Sequence, residues 1–201
     1  IFLTKSEFNR ILEKECPDNL QRVKDIFIVQ CCFGCRIGDF RRFTFDNVGI
    51  EDEIPYIHYL PQKTHRDGLI RTEIKTPIIP IAYDIIMKYK GELKTLLPYY
   101  PDGNGETGYN YQIKKLLEFY EINRTVAIFN SGRNEYKSIY EVASSKLARK
   151  THVDLMNKVQ IDKYAAGLHK RGSSAVDRYT HLGIKEKYIL MCAAFGCDPT
   201  S

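Results

Sequence analysis

The sequence predicts a mainly α-helical domain that carries a small antiparallel β-sheet. Apolar side chains recur at helical spacing (i, i+3, i+4) in most segments of the chain. Between residues 54 and 81 the pattern changes to near-alternation of β-branched and aromatic residues, which favours strands. The 201 residues fit one domain, and a chain of this length buries roughly two-thirds of its unfolded surface. We therefore expect a single α+β domain over residues 1–201.

Two helices are expected at the amino-terminal end. Thr4 and Glu7 have the spacing of a capping box, so the first helix should begin there. A second, strongly apolar helix is predicted from about Asp18 to Gly34, since glycine commonly ends a helix. The chain opens without Met and enters its first helix abruptly, so we interpret it as a domain excised from a longer protein.

The β-rich region should form a hairpin. Its strands are predicted over residues 56–60 and 70–74, with the Asp-Gly pair at residues 67–68 as the turn signal. Residues 77–81 are expected to add a closing strand, and a helix should follow them. The Pro/Gly-rich segment of residues 98–108 is predicted to be the most mobile loop.

The second half of the chain is expected to be mostly helical. Residues 110–120 place four apolar side chains at helical spacing: Ile113, Leu116, Leu117 and Tyr120. A short buried strand is predicted over residues 125–129, followed by a helix over residues 138–143. The chain should end in a helix with an apolar face, over residues 184–196.

Composition narrows the class of protein. There are 30 basic against 25 acidic residues, a net charge of +5 and a pI near 8.8, which suit a polyanion partner without identifying one. There is no long apolar run and no signal-peptide pattern, so we expect an intracellular protein with no membrane span. The six cysteines lack two tight pairs, which favours buried free thiols over a structural zinc site.

The richest stretch for phosphate chemistry is residues 144–182. Lys146 and Arg149 are three residues apart, so on a helix they would lie on one face and could address the same anion. His169 and Tyr179 follow, and the Tyr179 hydroxyl is the candidate nucleophile toward a phosphate held by positive donors. These residue types point to phosphoryl transfer.

No cofactor is expected for this chemistry. The chain has neither the G-x-x-x-x-G-K-[ST] nor the G-x-G-x-x-G pattern, and no carboxylate cluster suited to magnesium. Nucleotide-driven and metal-dependent phosphoryl transfer are therefore disfavoured.

Three segments of the same stretch, KLARKTH, LHKRG and DRYTHL, resemble the active-site half of the tyrosine recombinases, the phage integrase family. The resemblance implies that Arg149 is the second catalytic arginine, His169 occupies the His/Trp position and Tyr179 is the nucleophile. Lys146 stands where the family usually has its first histidine, and it would serve as an acid–base or electrostatic partner. Leu168 stands where glycine usually precedes the second histidine.

The amino-terminal half extends the resemblance. Residues 35–39 are similar to the family's first arginine motif, with Arg36 as the catalytic arginine and Asp39 spaced to orient it or to cap the next helix. In the family a hairpin lysine protonates the leaving oxygen, which implies Lys63; His65 and Arg66 are the nearby alternatives.

Together the resemblance implies the catalytic domain of a site-specific recombinase, such as an integrase of a mobile genetic element. The implied reaction is metal-free transesterification of double-stranded DNA through a 3′-phosphotyrosyl link, in the cytoplasm at the nucleoid. Other recombinase protomers would be partners in a tetramer, and the family's amino-terminal DNA-binding domain is missing from residues 1–201. The alternatives are relaxation of DNA, as in a type IB topoisomerase, and a non-catalytic DNA-binding relative.

Overall fold

The computed structural model of the chain describes residues 1–62, 73–90, 105–165 and 182–200. Helices dominate, with two small antiparallel sheets between them. The helices are α1 Lys5–Glu13, α2 Asp18–Phe33, α3 Ile37–Phe40, α4 Pro80–Lys88, α5 Gly105–Phe119, α6 Ile139–Val142, α7 Lys146–Ala165 and α8 Ile184–Phe195. The strands are β1 Val48–Glu51, β2 Ile54–Tyr59, β3 Ile74–Pro77, β4 Thr125–Asn130 and β5 Arg133–Ser138. The expected α+β architecture is confirmed.

Helix α1 begins where the sequence predicts. The Thr4 hydroxyl accepts a hydrogen bond from the Glu7 amide, and the Glu7 carboxylate accepts one from the Thr4 amide, which completes the capping box. Phe8 and Ile11 are buried. Phe8 meets Phe195 of α8 edge to face, with ring centroids 5.3 Å apart, so the two ends of the described chain share one core.

Helix α2 is the central element of the core. Every residue from 23 to 33 is buried, because α2 packs against α7 on one side and against α4 and α5 on others. It ends at Gly34, whose φ of +62° is the left-handed conformation that glycine adopts most readily. Both predicted ends of this helix are confirmed. The buried cysteines of this region, Cys31, Cys32 and Cys35, are free thiols.

The first sheet has the order β1-β2-β3, with both pairs antiparallel. Ile57 of β2 is fully buried and pairs with Val48 of β1 and Thr76 of β3. An antiparallel pair in this region is confirmed, and the first predicted strand overlaps β2. The described partner strand, β3, covers Ile74–Pro77 and shares only residue 74 with the predicted 70–74, and strand β1 was missed. The part of the hairpin from residue 63 to residue 72 lies outside the described residues.

Two predictions about segment ends are wrong. Residues 78–81 do not extend a closing strand, since β3 ends at Pro77 and Pro80 is the first residue of α4. Proline suits that position because its missing N–H would have no helical partner there. The loop predicted over residues 98–108 is also too long, because α5 already begins at Gly105. Residues 98–104 lie outside the described residues.

The second sheet corrects another prediction. Strand β4 exists, but it is not a buried strand, because it forms an exposed hairpin with β5. Val126 faces the core, whereas Phe129 is 77% exposed. The sequence indicates a strand over this segment but does not show which face is covered, and β5 was missed because its residues are mostly polar.

A buried polar network sets the position of the start of α7. Gln30 of α2 is fully buried; its amide nitrogen donates to the Ser145 carbonyl at 3.2 Å, and its amide oxygen accepts from the Tyr109 hydroxyl at 2.9 Å. The side-chain oxygen of Asn110 accepts a hydrogen bond from the Ser145 amide at 2.7 Å. Buried polar groups are costly unless hydrogen-bonded, so these contacts favour one placement of Ser145. The next residue, Lys146, begins α7.

Across the described ranges, none of the helices combines the length and the hydropathy that a membrane crossing requires.

Candidate active site

A cleft of about 650 Å³ is lined by residues 36–39 at the start of α3, by the first three turns of α7, and by Ile1, Phe2 and Gln62. Its lining carries four basic residues: Arg36, Lys146, Arg149 and Lys150. Arg36 lies more than a hundred residues before the other three in the chain. The fold therefore brings the two predicted arginines, Arg36 and Arg149, to one concave surface together with Lys146.

Arg36 is placed by the turn at the end of α2. Gly34 ends the helix in the left-handed conformation, and Arg36 then adopts an extended conformation as the residue before α3. Its side chain is half-buried. We refer to residues 34–36 as the α2–α3 turn.

Helix α7 supplies the opposite wall. Lys146 and Arg149 are one helical turn apart and both line the cleft, so their predicted common face is confirmed. Lys146 is exposed, whereas Arg149 is half-buried and donates from Nη1 to the Gly34 carbonyl at 3.0 Å. Arg149 is therefore tied directly to the turn that carries Arg36.

The acidic residues of the cleft are paired with other cations. Asp39 bonds Arg42 at 3.1 Å, and Asp154 bonds Lys158 at 2.7 Å. In the described part of the chain, none of Arg36, Lys146, Arg149 and Lys150 forms an ion pair with a carboxylate. Four cations that form no ion pair with a carboxylate of the described ranges give the cleft a positive charge that suits an anion.

The role expected for Asp39 differs from what the structure shows. Its buried carboxylate accepts hydrogen bonds from Arg42 Nη2 at 3.1 Å and from the Gln62 amide at 3.0 Å. It neither orients Arg36 nor caps α3, which has no side-chain cap. Through the Gln62 amide, Asp39 instead ties the segment that follows β2 to α3.

The charges of both arginines act on the hydroxyl of Tyr59, the last residue of β2. Burial raises the pKa of the Tyr59 hydroxyl well above its ordinary value, and the neighbouring Cys35 and Asp39 raise it further. Arg149 and Arg36 both act in the opposite direction on this group. Both guanidinium groups therefore lie near this one buried hydroxyl.

His152 is part of this region, and sequence reasoning missed it. Its Nδ1 donates to the Cys31 carbonyl at 2.9 Å, and its ring packs on the Phe195 ring with centroids 5.8 Å apart. The signal that could have found it is its spacing, since His152 follows Arg149 by three residues and so shares its helix face.

The other three predicted site residues, Lys63, His169 and Tyr179, lie outside the described residues. So do His65 and Arg66, the alternatives to Lys63. Within the described ranges, no three His, Cys, Asp or Glu side chains are grouped to hold a metal ion.

Comparison with known proteins bears on the fold. No protein-family model matches the chain, and no curated protein matches it by sequence. Two solved structures of the XerH site-specific recombinase do match in three dimensions. A pre-cleavage complex with a difH substrate gives a TM-score of 0.52 at 12% identity over 92% of this chain, and a post-cleavage complex with a palindromic difH substrate gives 0.50 at 11% over 94%.

The fold is tyrosine-recombinase-like. The chain spans about half the length of the XerH chains, 52% and 48% of them. The recombinase-like fold agrees with the architecture predicted from the sequence, helices around a small antiparallel sheet. At this identity the likeness concerns the arrangement of helices and strands and does not extend to the residues of the cleft.

Within this recombinase-like fold, His152 should make stability depend on pH. Burial lowers the pKa of His152 to about 4, and the Arg149 cation adds to the shift, while the bond to the Cys31 carbonyl opposes it. An unfolded histidine titrates near 6.5, so between these values the unfolded chain binds the proton more tightly. The contribution of His152 to stability is therefore full above about pH 6.5 and falls as pH drops toward about 4.

Between pH 7 and pH 5 we expect the free energy of unfolding of the wild type to fall by roughly 2 kcal/mol more than that of His152→Phe, because the variant has no titrating group at this position. The measurement is urea unfolding of both forms at the two pH values. His58→Gln is the matched control, because His58 lies on the sheet surface, where its Nδ1 bonds Glu73 at 2.9 Å. An equal loss of stability in wild type and His152→Phe would contradict the assignment.

Proposed function

We propose that this chain is the catalytic domain of a site-specific tyrosine recombinase that cleaves and rejoins double-stranded DNA. The observation that carries the proposal is the cleft, where Arg36 and Arg149 converge with Lys146 and Lys150 without a carboxylate partner among the described residues. Such a cleft suits a phosphodiester, and the recombinase-like fold supports the proposal that this phosphodiester belongs to DNA. In the two XerH structures that protein is bound to a difH substrate, palindromic in the post-cleavage complex.

The two arginines are suited to hold one phosphate. A guanidinium presents five N–H donors in a planar fork that matches two phosphate oxygens. Arg149 donates one N–H to the Gly34 carbonyl. This bond orients the guanidinium group and leaves its other N–H donors for a ligand. Donors that are placed before the reaction stabilise the charge that develops on the non-bridging oxygens, and this is the main contribution a protein makes to phosphoryl transfer.

The remaining roles follow from the motifs. The Tyr179 hydroxyl gives up its proton to solvent as its oxygen attacks the scissile phosphorus, the bond from phosphorus to the 5′ oxygen breaks, and a 3′-phosphotyrosyl link forms. Lys63 protonates the leaving 5′ oxygen, and His169 assists the arginines on the non-bridging oxygens. The link keeps the energy of the broken bond, so rejoining requires no nucleotide.

The rest of the assembly is part of the same proposal. The chain spans about half of the XerH chains. We infer that the whole protein adds a second DNA-binding domain and that four protomers act together on two DNA sites. Integration of a mobile genetic element is the biological setting we favour, on the strength of the integrase-like motifs.

The direct test is a suicide substrate, a duplex nicked near the scissile position so that a short fragment diffuses away after cleavage. A covalent protein–DNA adduct that forms in the presence of EDTA and maps to Tyr179 is the expected result. Loss of the adduct on addition of EDTA would overturn the metal-free scheme. Exchange of strands between two marked duplexes then separates recombination from relaxation by a type IB topoisomerase.

Lys146 should contribute to cleavage as a cation. Its exposed side chain lines the cleft one helical turn from Arg149. We expect Lys146→Ala to cleave more slowly at every pH, and Lys146→His to keep cleavage while gaining a pH dependence near the ordinary histidine pKa of about 6.5. Single-turnover rates at saturating protein across pH are the measurement.

The contrary outcome for Lys146 is also specific. If the side chain contacts only a phosphate away from the scissile one, Lys146→Ala leaves the single-turnover rate unchanged and weakens binding with a reduced salt slope. That result would remove Lys146 from the catalytic residues.

A further inference from the structure

The end of α2 is held against α7 by two side chains. The last carbonyls of a helix have no partner within the helix. Here the Cys31 carbonyl accepts from His152 Nδ1 at 2.9 Å, and the Gly34 carbonyl accepts from Arg149 Nη1 at 3.0 Å. Both donors come from one face of α7, one turn apart. Arg36 lies two residues beyond Gly34, so the position of Arg36 relative to Arg149 depends on these two bonds.

The His152 ring also fixes the turn by packing. A Cβ added to Gly34 would lie 2.5 Å from the Cδ2 of His152, so the imidazole lies directly on the glycine backbone. On its other side the ring contacts Phe195 of α8. The ring therefore fills the space between the α2–α3 turn and α8, and a side chain at position 34 would displace it.

The charges around His152 favour a neutral ring. On its own helix it faces the Arg149 cation, which lowers its pKa together with burial. From α2 it faces Cys31 and Cys32, whose thiols have pKa values raised by burial and so carry no charge. Helix α8 contributes the uncharged Phe195 ring. A neutral imidazole with its proton on Nδ1 can bond the Cys31 carbonyl without adding a further positive charge beside the arginines.

We propose that His152 is a positioning residue, which fixes the α2–α3 turn against α7 so that Arg36 and Arg149 face the same phosphate. This inference rests on the proposed function, since the phosphate is the scissile one. His152 does not touch the DNA in this scheme. It acts through the Cys31 carbonyl and the Gly34 backbone, and its loss should slow cleavage more than it weakens DNA binding.

Two variants separate the hydrogen bond from the ring. His152→Asn keeps an N–H donor near the position of Nδ1 but removes the ring, whereas His152→Phe keeps a ring and removes the donor. We expect His152→Phe to lower the single-turnover cleavage rate about tenfold with an unchanged Kd for the nicked duplex, the scale of one lost hydrogen bond. His152→Asn should recover most of that rate.

The matched control is Ile113→Val in α5, a fully buried position that loses a methylene group in the core. It should lower Tm without lowering the cleavage rate. If both His152 variants cleave as fast as wild type, or if Ile113→Val slows cleavage as much as His152→Phe for an equal loss of Tm, the positioning role is overturned.

A second measurement does not depend on cleavage. The ¹⁵N spectrum of the His152 ring at neutral pH should show a neutral imidazole protonated on Nδ1. A charged ring, or a proton on Nε2, would overturn the proposal whatever the kinetics. If instead wild type and every variant form no adduct, the proposed function fails and the positioning role falls with it, whereas an active wild type with unaffected variants overturns the positioning role alone.

Discussion

Tyr179→Phe is expected to abolish covalent attachment of the chain to nicked duplex DNA while leaving non-covalent binding nearly unchanged. The substitution removes only the hydroxyl that would attack the phosphate, and losing a catalytic nucleophile commonly costs roughly 10³-fold or more in rate. The measurement is adduct formation on the suicide substrate, followed on a denaturing gel, beside Kd from a binding titration.

Tyr111→Phe is the control for this experiment, since Tyr111 is 57% exposed on α5 and lines no part of the cleft. It should form the adduct at the wild-type rate. An adduct that persists in Tyr179→Phe would place the nucleophile elsewhere, and Tyr164 would be the next tyrosine to replace.

Arg36→Ala and Arg149→Ala are each expected to lower the single-turnover cleavage rate by about 10²-fold or more, the usual cost of one preorganised oxyanion donor. Arg149→Lys should recover little of the rate, because an ammonium group keeps the charge but not the planar fork. Cleavage should remain insensitive to EDTA in all forms. Rates are measured at saturating protein so that weaker binding does not contribute.

Arg133→Ala is the matched control, because it removes the same charge from the exposed β4–β5 hairpin. Its cleavage rate should stay within about threefold of wild type, in line with the small effect expected of surface charges. If Arg133→Ala slowed cleavage as much as Arg149→Ala, the loss would reflect general electrostatics, and the two-arginine site would be contradicted.

Most helices were predictable because their signals are local. The Thr4–Glu7 capping box and Gly34 lie within a few residues of the helix ends they define. The face that Lys146 shares with Arg149 follows from helical geometry alone. Local rules were less informative for the sheets. Strand β5 has few apolar residues. Strand β4 carries a continuous apolar run over residues 126–129, which fits either an exposed or a buried strand, so only its partner and its neighbours decide which side is covered.

By itself the sequence determined the helical framework and which charged side chains and candidate nucleophiles the chain carries, because these depend on short-range spacing and residue type. The tertiary structure decided which of them meet. Arg36 and Arg149 line one cleft because α2, which ends just before Arg36, packs against α7. The Asp39 carboxylate accepts from the Gln62 amide and from Arg42. It also buries His152 on the Gly34 backbone. Contacts between residues more than a hundred positions apart arise from core packing, which no local pattern encodes.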